Sequence, residues 1–155
     1  IDLKKLKSKS LLNDEVAYVA SQIAQDLRVR KSVLKFQRSL AYNPPSSCNG
    51  SILDGRDICT IVIKDADIKF YVTASTKIRA ARRFRELKKL GKKVKFQEVL
   101  KGIRKRDRAD RTRPHSKLKK TRESYLINTS NLTIKESFLK VKNIIDRKLH
   151  IIWKK

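Results

Sequence analysis

Ile68-Lys69-Phe70-Tyr71-Val72-Thr73-Ala74-Ser75, running on through Thr76 to Gly91, is the stretch on which the reading of this 155-residue chain turns. β-Branched and aromatic residues crowd positions 68–73 after the turn-like Lys64-Asp65-Ala66-Asp67, as a strand requires. Ser75 then offers a side-chain oxygen to the first amides of a helix whose apolar stripe is Ile78, Ala81, Phe84, Leu87 and Leu90. Gly91 stands where a left-handed C-terminal cap is wanted. A strand that feeds directly into a capped helix is a unit of a parallel α/β sheet.

Upstream, Ser51-Ile52-Leu53 precedes Asp54-Gly55-Arg56-Asp57 and a second apolar stretch, Thr60–Ile63, which together predict a buried strand ending in a polar loop. In a parallel sheet ligands bind at the carboxyl ends of the strands, and Asp54–Asp57 is expected at such an end. Further upstream, Val16, Val19, Ala20, Ile23, Ala24 and Leu27 recur at helical spacing, with Asn13, Asp14 and Glu15 at the start where exposed amides favour acceptors and negative charge. A second stripe, Val29, Val33, Phe36 and Leu40, runs to Ala41 before the loop Asn43–Gly50, so residues 13–42 read as a helix pair.

Downstream, Phe96, Val99, Leu100 and Ile103 predict a helix that dissolves into Arg104–Pro114, with residues 104–117 forming a mobile basic loop. Tyr125-Leu126-Ile127 predicts a short strand. Thr133-Ile134-Lys135-Glu136 has the form of a capping box and opens a last helix bearing Phe138, Val141, Ile144, Ile145 and Leu149. Trp153 adds nothing to this reading. No internal repeat is visible, and the length fits one domain over residues 1–155.

Forty Lys and Arg stand against 15 Asp and Glu, a formal charge of +25 at pH 7. The 39% hydrophobic content, with four Gly and three Pro, excludes a disordered basic tail and a collagen-like chain. Apolar runs such as Ile61-Val62-Ile63 fall far short of the roughly 20 residues that a membrane-spanning helix requires, which excludes one. Cys48 and Cys59 are too few for a disulfide framework or a Cys-rich zinc site, which points to a reducing compartment, the cytoplasm. Ile1-Asp2-Leu3-Lys4-Lys5-Leu6 reads neither as a signal peptide nor as an ordinary translation start, and a fragment is expected. Residues 77–122 hold 21 Lys/Arg against Glu86, Glu98, Asp107 and Asp110, so most of the surplus lies in one region and calls for a polyanionic partner: nucleic acid, or the phosphate of a small nucleotide.

Three constellations bear chemistry. Arg56 and Asp57 sit beside each other after the expected strand, where they form either an ion pair pinning a loop or part of a site. Arg106, Asp107, Asp110, Arg111 and Arg113 are either a solvated helix end or a nucleotide site, since arginine forks take phosphate oxygens while a carboxylate accepts from ribose hydroxyls. Ser21 and Arg30 are ordinary surface residues taken singly; set beside Asp57 and Arg113 they match a cytosine edge, which presents an amino donor next to acceptors. His115 and His150 are isolated from other metal ligands, and no G-x-x-x-x-G-K-[ST] pattern occurs.

The succession Val19-Ala20-Ser21-Gln22-Ile23-Ala24, Leu53-Asp54-Gly55-Arg56-Asp57-Ile58-Cys59-Thr60 and Asp65–Ser75 resembles bacterial cytidylate kinases. So do Arg79-Ala80-Ala81-Arg82-Arg83, Arg106–Arg111 and Ile127–Thr133, in order from about Asn13 to Asp146. The resemblance implies an α/β fold of the P-loop nucleoside monophosphate kinase type, with a parallel sheet, flanking helices and a short lid, and transfer of the γ-phosphoryl of ATP to CMP or dCMP with Mg2+. It implies that Ser21, Arg30, Asp57 and Arg113 surround the cytosine, that Arg106 and Asp110 hold the sugar, and that Arg56 meets the CMP phosphate. The lid arginines Arg108 and Arg111 would stabilise charge on the transferring group. Cys59, Lys64 and Asn128 depart from the usual Gly, Pro and Asp, and Arg108-Ala109 from a common Asp-Arg pair. The family's first strand, phosphate loop and first CMP-binding segment have no counterpart, so residues 1–155 alone are expected not to turn over CMP. A monomer is expected, with nucleic acid engaged only non-specifically through the basic surface; the rival reading is a basic nucleic-acid-binding protein without enzymatic activity.

Overall fold

The computed structural model describes residues 14–23 and 26–152. They fall into two compact units, Ile1–Asp54 and Gly55–Lys155. Asn13, Ala24 and Trp153, named above, lie outside the described residues.

In the first unit, α1 (Asp14–Ile23) and α2 (Leu27–Tyr42) form over the predicted stripes. Asp26 caps α2: its carboxylate accepts from the amides of Arg28 at 2.7 Å and Val29 at 3.3 Å. At the other end Asn43 donates its backbone amide and its side-chain Nδ2 to the Ser39 carbonyl. No residue of α2 is buried; Val33, Phe36 and Leu40 of its apolar stripe all remain exposed.

The predicted strand at 51–53 does not form. Ile52 is 97% exposed, and the apolar run after Asp57 closes instead into a π-helical turn, Ile58–Val62. The carbonyl of Asp57 accepts from the amides of Thr60, Ile61 and Val62, and Ile63 donates to Ile58 across the longer π spacing. Ile58, Val62 and Ile63 are buried. A short run of β-branched residues suits a buried strand and a buried helical turn equally, and here the helical hydrogen bonds win. Asp54–Asp57 therefore leads into a helical turn rather than out of a strand.

β1 (Phe70–Thr73) runs into α3 (Thr76–Lys89), as its sequence predicts. Ser75 Oγ accepts from the Ile78 amide, while Gly91 at φ 73° lets the amides of Gly91 and Lys92 turn back onto Lys88 and Leu87. β2 (Tyr125–Asn128) pairs with β1 in parallel, Phe70 opposite Tyr125 and Thr73 opposite Asn128. Phe70 and Tyr125 pack ring against ring at 5.9 Å. Buried Lys69, just before β1, pairs with Glu123 at the entry to β2. The core lies between this ribbon and its helices, with Ile127, Ala74, Ala80, Leu87 and Leu100 buried and Phe84 edge-on to Phe96.

α4 (Phe96–Thr112) does not dissolve at Arg104 but continues through Arg104, Lys105, Arg106 and Arg111. Arg and Lys are good helix formers, and no Gly or Pro interrupts residues 103–112. Arg113 takes an extended conformation (φ −53°, ψ 144°), imposed by the ring of Pro114, and that ends the helix. The chain then doubles back, with Ser116 in the left-handed region and Leu118 donating to the carbonyl of Asp110. The capping box of α5 (Ile134–Ile152) forms as expected, Thr133 and Glu136 exchanging hydrogen bonds.

Candidate active site

Because β1 and β2 are parallel, their carboxyl ends open on one edge, and two polar networks close around it. In the first, Arg82 of α3 donates to Thr129 Oγ1 at 3.1 Å and to the carbonyls of Thr129 and Leu132 at 2.6 and 3.2 Å. Ser130 Oγ accepts from the Ser75 amide, and Asn128 Oδ1 accepts from both the amide and hydroxyl of Ser130. The loop after β2 is thus tied to the start of α3.

The second network is built on α4. Asp107 and Asp110 lie three residues apart, so they share a side of the helix. Arg79, in the first turns of α3, grips Asp107 with both terminal nitrogens, Nη1 to Oδ1 at 2.8 Å and Nη2 to Oδ2 at 2.5 Å. The hydrogen bonds from Arg79 hold the Asp107 carboxyl below the usual aspartate range, against the opposing effect of partial burial, and Arg111 and Arg106 add to the lowering. Asp107 raises Arg79 in turn. One step along, Arg56 Nε donates to Asp110 Oδ2 at 3.0 Å, and Arg113 Nη1 lies 3.9 Å from Asp110 Oδ1. Nε of Arg113 is enclosed and lacks a hydrogen-bond partner among the described residues.

Arg56, Asp110 and Arg113 are therefore brought together. Arg106, Arg108 and Arg111 are exposed on α4 beside them. Asp57 begins the π-helical turn next to Arg56 and is half-buried. Ser21 lies in α1 and Arg30 in α2, both in the other unit. Arg79 and Arg82 carry no role in the sequence reading; their spacing of three, which aligns them on one face of α3, is the one signal by which they could have been found. Both cysteines are free, Cys48 exposed and Cys59 half-buried.

Parallel strands entering helices, with arginine–carboxylate pairs gathered by the strand ends, define an α/β protein whose site suits a phosphorylated ligand. Residues 3–147 match the family model described as cytidylate kinase. The chain is 41% identical over 146 residues to the cytidylate kinase of Bartonella bacilliformis, covering 94% of this chain and 66% of that one. It is 40% identical over 154 residues to the cytidylate kinase of Bartonella tribocorum, covering 98% and 70%. The cytidylate kinase of Mesorhizobium japonicum is 40% identical over 146 residues, 94% of this chain and 66% of that one. The chain belongs to the cytidylate kinase family, and it spans 66 to 70% of the length of these relatives.

No helix among the described residues is long and apolar enough to cross a membrane. Among the same residues no group of three or more His, Cys, Asp or Glu is placed to hold a metal ion. Of the four glycines, Gly50, Gly91 and Gly102 have open space around them and Gly55 faces the Ile58 side chain; none opens a phosphate-loop pattern.

Proposed function

We propose that this chain carries the acceptor side of a cytidylate kinase, the reaction in which ATP gives its γ-phosphoryl group to CMP or dCMP, with Mg2+ shielding the phosphates. The observation that carries the reading is the convergence of Arg56, Asp110 and Arg113 in a member of the cytidylate kinase family. Arg56 meets the CMP phosphate through its fork, and Arg106 and Asp110 take the sugar hydroxyls. The enclosed Nε of Arg113 is a donor in want of an acceptor, which a pyrimidine carbonyl supplies. Asp57 accepts from the cytosine amino group; by resemblance to the family, Ser21 and Arg30 are further candidates for recognising the base. Arg108 and Arg111 stabilise charge on the phosphoryl in flight, work that is mainly positioning and electrostatics. A cytoplasmic, monomeric protein accords with this reading.

The test is calorimetric titration with CMP, dCMP and UMP. CMP and dCMP bind more tightly than UMP, whose carbonyl faces an acceptor where cytosine has its amino group, and Asp57→Ala erases that preference. UMP binding as tightly as CMP overturns the base assignment. Salt-resistant, sequence-selective oligonucleotide binding without CMP affinity overturns the whole reading.

A further inference from the structure

The proposed CMP site leaves unused a two-pronged ion pair, Arg79 to Asp107. Arg79 spends four hydrogen bonds at one junction: Nε on the carbonyl of Ala74 at 3.0 Å, Nη2 on Thr76 Oγ1 at 3.1 Å, and the two contacts to Asp107. Ala74 is buried at the carboxyl end of β1 and Thr76 is the first residue of α3. The fork is thus fixed to the sheet edge before it reaches α4, and a forked guanidinium facing a carboxylate sets direction as well as distance.

Asp107 is also central to the helix it anchors. At about 100° per residue, Arg106 and Asp110 fall about 100° and 60° to one side of it, and Arg111 and Arg108 about 40° and 100° to the other. Any rotation of α4 about its axis would carry one set toward the strand ends and the other away. The neighbouring tie, Arg56 to Asp110, cannot hold that rotation during binding, because both partners are the groups proposed to take the nucleotide.

We infer that Arg79 and Asp107 are positioning residues, which touch no substrate but set the rotation and height of α4 on the sheet edge and so aim Arg106, Asp110 and Arg113 at the nucleotide. This rests on the CMP reading above. The pair remains intact when ligand draws Arg56 and Asp110 apart, so the binding groups keep a fixed platform. Lys in place of Arg79 keeps the charge and loses the fork; Asn in place of Asp107 keeps the shape and loses the charge.

The experiment measures CMP affinity by calorimetry, well below the melting temperature, for the wild-type chain, Asp107→Asn, Asp107→Glu, Arg79→Lys and the surface control Glu86→Gln, whose partner is Arg83. Affinity falls by about tenfold or more in Asp107→Asn and Arg79→Lys, the scale on which misplaced binding groups are felt, while Glu86→Gln stays at the wild-type value. Asp107→Glu, which restores a carboxylate within reach of the fork, recovers most of the loss. Wild-type affinity in both Asp107→Asn and Arg79→Lys, with only a lowered melting temperature, overturns the positioning role and leaves the pair a prop of the fold. Should Asp107→Asn fail to fold, Arg79→Lys decides alone. A wild-type chain that does not bind CMP instead overturns the CMP reading, and the positioning role with it, an outcome distinct from variants that bind normally.

Discussion

The two units of this chain hold their helices by different means. α2, in the first, is held at its two ends by groups close in sequence: Asp26 onto the amides two and three residues on, Asn43 back onto Ser39, and Ser51 Oγ onto the carbonyl of Ala41 ten residues back. The second unit is held by groups far apart in sequence, Arg79 to Asp107 across 28 residues, Arg82 to Thr129 across 47, Arg56 to Asp110 across 54 and Ser75 to Ser130 across 55. It also has the buried core, whereas α2 buries no residue. Local contacts make a helix; the long-range ones place one helix against another, and only the second unit carries the site residues the structure brings together.

The largest expected effect tests that contrast in the core. Ile127 is 1% exposed, and Ile127→Ala leaves a cavity that should cost about 3 kcal/mol. Phe36 is 44% exposed on α2, and Phe36→Ala should cost under about 1 kcal/mol. Denaturant unfolding followed by circular dichroism measures both. Equal losses would break the comparison, because they would mean that α2 contributes as much buried area to the folded state as the sheet does.

The same contrast explains what could be read from sequence. β1, the Ser75 and Gly91 caps of α3 and the capping box of α5 were legible because each signal sits within a few residues of the structure it makes. The turn at Ile58–Val62 was read as part of a strand because short apolar β-branched runs carry no decisive period. The sequence ends α4 early, at Arg104, because Pro114 marks a break and the cations from Arg104 to Arg113 invite the expectation of a mobile loop. What relieves the repulsion among them is Asp107 and Asp110, held by arginines that only the fold supplies. The candidate site divides the same way: Arg56 and the residues Arg106–Arg113 stand out by residue type and position, while Arg79 and Arg82 need the tertiary structure to acquire partners.

A smaller effect, and a sharper one, comes from acid. The folded state holds the Asp107 carboxyl below its usual range, chiefly through the Arg79 hydrogen bonds. A depressed carboxylate stabilises the fold above its unfolded pKa of about 3.9 and loses that contribution as pH falls through the folded value. Wild type should therefore exceed Asp107→Asn by a constant margin above about pH 5, no more than about 1 kcal/mol because water screens the partly exposed pair, and the two should converge below about pH 4. Glu123 and Glu136 are also lowered, by Lys69 and by Thr133, but both are present in the two proteins and cancel. A margin unchanged down to pH 3 would mean that the pair contributes shape and not charge.

The smallest expected effect lies at the start of α2. Asp26 is held low by its hydrogen bonds from Arg28 and Val29, yet the group is exposed and lies in the first unit, so its removal should leave the unfolding midpoint of the second unit where it is. Asp26→Ala strips acceptors from the first amides of α2, and hydrogen exchange at Arg28 and Val29 should quicken while amides of β1 and β2 exchange as before. Asp26→Ser replaces the carboxylate with another capping oxygen and should keep most of the protection. The two caps also differ in acid: the aspartate cap weakens as pH falls through its depressed pKa, whereas serine does not titrate in that range, so protection at Arg28 should fall in wild type and hold in Asp26→Ser. Loss of protection spreading from Arg28 to Ile127 would tie the two units into one cooperative structure, and the division between local and long-range support would then describe the contacts without describing the stability.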